Sequence, residues 1–116
     1  SLGALEADDI YGDSFVRGES AVEEIGNNVS LVFTDMDFGE RRTKGIAICG
    51  RAPKGSNTIH VRFFDGQEEQ KQIVEFPACG EYQEYSFPLE PIGGKWEVNF
   101  VFLPGSCFDF RYFRFF

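Results

Sequence analysis

FVFLPGSCFDFRYFRFF, residues 100–116, is the stretch whose reading decides the fold. Phe108, Phe110 and Tyr112 share one parity, and Asp109 and Arg111 take the other. Successive side chains of an extended chain point to opposite faces, so this alternation marks a strand with one buried face. Inserting the segment into a membrane would carry Asp109, Arg111 and Arg114 into hydrocarbon, at about 2.5–3.5 kcal/mol for each. The tail is therefore expected to be a closing core strand, Phe108–Phe115. Its parity shifts at Tyr112-Phe113, after which Phe113 and Phe115 continue the apolar series. Such a shift predicts a bulge or a corner, where the strand turns its other face inward.

The same alternation runs back through the chain. Strands are expected over Val29–Thr34, Gly45–Gly50, Thr58–Phe64, Gln72–Phe76, Tyr82–Leu89 and Trp96–Leu103. Turn signals such as Phe38-Gly39-Glu40, Asp65-Gly66-Gln67 and Pro104-Gly105-Ser106 separate them at short intervals, the pattern of an all-β sandwich or barrel. Ile59, Val61 and Phe63 share one face of their strand. Trp96, Val98, Phe100 and Phe102 share one face of theirs. Tyr82 has the parity of Glu84 and Ser86, opposite Tyr85, Phe87 and Leu89, and is expected to point away from the core. Glu19–Ile25 is too short for an independent helix and reads as a strand or a single turn.

Length and composition fit one domain, residues 1–116, with no linker or repeat. Of the residues, 16% are aromatic and 14 are Phe, which favours β structure. The net charge of −8 repels phosphate backbones and anionic bilayers, so neither nucleic acid nor membrane is an expected partner. Cys49, Cys79 and Cys107 are odd in number and widely spaced. They form neither a disulfide framework nor a CxxC metal site. Read as free thiols, they lean toward a reducing compartment such as bacterial cytoplasm.

No catalytic constellation emerges. His60, the one histidine, lies on the outward parity of its strand with no Ser or Cys near it in sequence. No phosphate-binding glycine loop or HExxH motif is present. The domain itself is expected to be non-catalytic.

Three segments carry a family resemblance. NNVSLVFTDMDFG (27–39), CGEYQEYSFPL (79–89) and GKWEVNFVFLPGSCFDFRYFRF (94–115) resemble, in order and spacing, strands of family 6 carbohydrate-binding modules. They look closest to the accessory domain at the C-terminal end of bacterial family 2 glycoside hydrolases of the β-galactosidase type. The resemblance implies an antiparallel β jelly roll and a domain excised from a larger hydrolase. It implies a ligand site in which Tyr82 stands for the family's first clamp aromatic and Asp109 for its ligand-contacting Asn. Val29 stands where the second aromatic belongs, with Tyr11 or a nearby loop left to compensate. It also implies a structural calcium near Glu6 and Asp8. Here Arg111 replaces the last acidic ligand, and its guanidinium is expected to pair with Glu6 or Asp8 instead.

Two functions follow from the resemblance. One is saccharide binding, with a galactose-containing sugar as the expected ligand, beside the catalytic domain of a parent enzyme. The alternative is a structural accessory domain that packs on that enzyme or supports oligomerisation without binding sugar.

Overall fold

The computed structural model describes residues 1–40 and 42–116. Among these residues eleven strands form two antiparallel sheets. They are β1 (Leu2–Gly3), β2 (Asp9–Tyr11), β3 (Val16–Arg17), β4 (Val22–Ile25), β5 (Val29–Asp37), β6 (Thr43–Ala52), β7 (Asn57–Phe64), β8 (Glu69–Phe76), β9 (Cys79–Ile92), β10 (Lys95–Phe102) and β11 (Phe108–Phe115). A 3-10 turn, Ala4–Glu6, joins β1 to β2. The first sheet runs β3-β4-β11-β6-β9, with β1 also on β11, and the second runs β2-β5-β10-β7-β8. Among the described residues no helix is long and apolar enough to cross a membrane.

The architecture is the expected antiparallel sandwich, and the period-two pattern explains why. Leu31 and Phe33 of β5, Val61 and Phe63 of β7, and Val98 and Phe100 of β10 all turn inward from the second sheet and are buried. Ile46, Ile48, Phe110 and Phe113 meet them from the first. Phe113 sits at the centre, its ring 4.8 Å from Phe33 and 4.6 Å from Phe100. Edge-on and tilted contacts of this kind add about 0.5–1.5 kcal/mol per pair beyond the area they bury.

The seven expected strands all form, several of them longer than expected. Glu19–Ile25 yields a strand only over Val22–Ile25. The tail does bend, one residue earlier than its sequence pattern suggests. Along β11 the partners on β6 step from Phe110↔Gly50 to Tyr112↔Cys49, leaving Arg111 as the extra residue of a bulge. Past this point Phe113 is buried, and the Tyr112 hydroxyl reaches Glu84 on the outer face of the sheet. Tyr112 therefore does not share the inward face of Phe108 and Phe110, as its sequence parity suggested.

The loop that leads into β11 is pinned by Asn57, a buried residue at the start of β7. Its amide donates to the Cys107 carbonyl at 3.0 Å, and its oxygen accepts from the Cys107 N–H at 2.9 Å. Asp109 begins two residues later, so this clamp fixes where its carboxylate emerges.

Candidate functional site

Polar side chains on the outer face of the first sheet lie in rows that cross the strands. One row joins β4, β11, β6 and β9 through Glu24, Asp109, Arg51 and Tyr82. Asp109 is its anchor, only 7% exposed. Its Oδ2 accepts from Arg51 Nε at 2.8 Å. Its Oδ1 accepts from the backbone N–H of Glu24 at 2.9 Å. The second bond has a local cause. Between Ile25↔Phe108 and Val22↔Phe110, β4 carries one residue more than β11. Glu24 there takes the left-handed region, φ 52°. The Asp109 carboxylate accepts from its N–H in place of a ladder carbonyl.

Arg51 continues the row. Its guanidinium carbon lies 4.9 Å from the centre of the Tyr82 ring. The bond to Asp109 pushes the Arg51 pKa above its ordinary value. Arg111, displaced by its bulge, lies closer still, 3.8 Å from the same ring centre. Guanidinium groups are attracted to the negative faces of aromatic rings. Tyr82 is thus held by two cations. Burial, with the Asp109 charge adding to it, pushes the Tyr82 phenol pKa up. Two atoms here are buried without a hydrogen-bond partner: the Tyr82 hydroxyl and Arg111 Nε.

A second row lies beside the first. The Tyr112 hydroxyl donates to Glu84 Oε1 at 2.9 Å, and Arg114 Nη2 donates to Glu84 Oε2 at 3.4 Å. Cys49, buried on β6, lies opposite Tyr112 in the ladder. Burial pushes its thiol pKa up.

Tyr82 and Asp109 therefore come together on one face, linked through Arg51. Val29 does not join them. It is fully buried on β5, in the other sheet, paired with Phe102. Its inward parity with Leu31 and Phe33 puts it in the core, so it cannot be the second wall of this site. Tyr11 is exposed but belongs to β2, also in the second sheet. Sequence reading missed Arg51 and Glu24. Arg51 lies one residue past the expected end of its strand, and Glu24 owes its place to a bulge.

The expected pairing of Arg111 with Glu6 or Asp8 is also corrected, since Arg111 lies on Tyr82. Glu6 Oε2 instead accepts from the Gly3 N–H at 2.6 Å. Asp8 Oδ2 accepts from the Thr34 N–H at 2.7 Å and the Thr34 hydroxyl at 3.0 Å. Among the described residues no group of three or more acidic, His or Cys side chains gathers to hold a metal ion.

No family model matches the sequence, and no curated protein matches it. Solved structures do match. A family 6 carbohydrate-binding module of Clostridium stercorarium, solved with cellobiose, superposes with a TM-score of 0.81 at 20% identity over 98% of this chain and 90% of its own. A family 6 module of Clostridium cellulolyticum, solved with xylose, gives a TM-score of 0.78 at 18% identity over 99% and 95%. An exo-β-1,3-galactanase of Phanerochaete chrysosporium, solved with galactose, gives 0.75 at 13% identity over 99% of this chain but 28% of its own. The chain has the fold of the family 6 carbohydrate-binding modules.

Proposed function

We propose that this chain is a non-catalytic saccharide-binding module that works beside the catalytic domain of a glycoside hydrolase of the β-galactosidase type. The observation that carries this reading is the convergence of Tyr82 and Asp109 on one rim of a fold shared with modules solved with bound sugars. An aromatic face attracts the polarised C–H groups of a pyranose, and a fixed carboxylate and guanidinium select the orientation of its hydroxyls. Asp109 and Arg51 already orient each other, which lowers the cost of ordering them around a ligand. In the galactanase the matching domain is a minor part of a longer hydrolase chain, which supports a parent enzyme here. The module would raise the effective concentration of a galactose-containing saccharide at that enzyme.

The second reading is a structural domain that packs on the enzyme or an oligomer partner without binding sugar. The two guanidiniums against Tyr82 favour it, because they cover ring surface that a sugar would use. Galactose, lactose and β-linked oligosaccharides titrated against the 15N-labelled chain separate the two. Shifts centred on Tyr82 and Asp109, abolished by Tyr82→Ala, support the saccharide reading. No shift at millimolar sugar transfers the function to the structural one.

A further inference from the structure

The charges on this face do not cancel pairwise. Arg51 is matched by Asp109 at 2.8 Å, and Arg114 by Glu84 at 3.4 Å. Glu23 adds its field at Arg51 and Tyr82. Among the described residues Arg111 forms no ion pair within 4.0 Å, and its Nε is buried with no acceptor at all. Its guanidinium carbon lies over Tyr82, 3.8 Å from the ring centre. A guanidinium presents planar paired donors that suit a carboxylate or a sulfate. A neutral pyranose offers this group only weak hydroxyl acceptors, and it must also compete with Arg111 for the aromatic face. An anionic group uses the cation where it stands.

Resting on the saccharide reading above, we propose that the ligand is an acidic saccharide. Its uronate carboxylate or sulfate ester is received by Arg111, with Tyr82 as the floor that holds the guanidinium in place. Arg111 is then the specificity-determining residue, and the Asp109–Arg51 pair takes the hydroxyls of the same sugar.

Calorimetric and NMR titrations with three probes test this: digalacturonate, a sulfated galactobiose and neutral galactobiose. At least one acidic probe is expected to bind about tenfold tighter than the neutral one, the factor that one charge-assisted hydrogen bond supplies. The advantage should shrink as salt is raised to about 0.5 M, where exposed charges are screened. The acid that binds tighter identifies the anionic group. Arg111→Gln should erase the preference, and Arg111→Lys should keep part of it. Equal binding of all three probes by the native chain overturns the inference without needing any variant. So does a preference that survives in Arg111→Gln. Neutral binding without acid preference removes only this inference. Silence of the Tyr82 resonances with every probe removes the saccharide reading and this inference together.

Discussion

Replacing Asp109 by Asn tests whether the rim is built as the geometry indicates. Asparagine has nearly the shape of aspartate and keeps an oxygen that can accept from the Glu24 N–H. Its amide then faces Arg51 Nε, so a charge-assisted bond becomes a donor against a donor. The side chain of Asp109 is 11% exposed and that of Arg51 is 36% exposed. Fully exposed ion pairs contribute about 0.2–1 kcal/mol. Breaking a fully buried one costs about 3–5 kcal/mol. With one partner buried and the other partly wet, about 1.5–2 kcal/mol is expected for the single substitution, after allowing for screening at Arg51. At this chain length that is a fall in melting temperature of about 5–8 °C. Arg51→Met and the double variant complete a cycle, read by urea denaturation at constant m-value. The double variant should recover about 1 kcal/mol relative to the sum of the singles. A coupling below about 0.3 kcal/mol would show that the two residues are neighbours without being partners, and the proposed preorganisation of the rim would fail with it.

Gly50 offers a steric test of the same region. A Cβ there would stand 2.8 Å from the Asp109 carbonyl and still closer to the buried Phe108 ring. Gly50→Ala should therefore destabilise by about 1–3 kcal/mol, as overpacking does. It should also displace the Asp109 resonances, and an unchanged melting curve refutes the packing described here. Acid stability gives another check. The Thr34 N–H and hydroxyl hold Asp8 below the ordinary carboxylate value of 3.8, and the N–H groups of Glu68 and Gln67 do the same for Asp65. A carboxyl whose folded pKa is depressed contributes stability above its unfolded pKa and loses it as pH falls through the folded one. Stability should thus decline below about pH 4, and Asp8→Asn with Asp65→Asn should flatten that decline. A decline of the same slope in the double variant sinks the assignment.

Most of the long strands were legible because they have one wet face and one dry face; β6, buried along almost its whole length, was legible as a short apolar run between turn signals. Val16–Arg17 was not, because both of its residues are exposed and two residues carry no period. The bulge in β11 was legible only approximately. Arg111 continues the polar parity of Asp109, so the break becomes visible only where the apolar series resumes at Phe113. Val29 shows a family resemblance outrunning the local pattern: its parity with Leu31 and Phe33 already pointed inward, and burial followed parity. Tyr82 and Asp109 could each be assigned an outward face from alternation. Their meeting could not, because it depends on β6 lying between β9 and β11, and on Arg51 reaching both.

The bulge at Arg111 links core to rim. In a regular strand, Asp109 through Arg114 would send three side chains outward, at 109, 111 and 113. Phe113 would then face water, and the core would lose the ring that joins Phe33 to Phe100. With one extra residue in β11, Phe113 turns inward, while Asp109, Arg111, Tyr112 and Arg114 all serve the outer face. One local irregularity therefore preserves the hydrophobic layer and brings four polar groups to the outer face. Bulges recur where a strand must re-aim a side chain, and the residue re-aimed here is the cation that lies on the aromatic ring. The binding preference proposed for this face and the packing of its core thus share one structural cause. Restoring regular register by deleting a residue at 111 would disturb both at once, whereas Arg111→Gln keeps the bulge and changes only the charge, which makes it the cleaner probe of function.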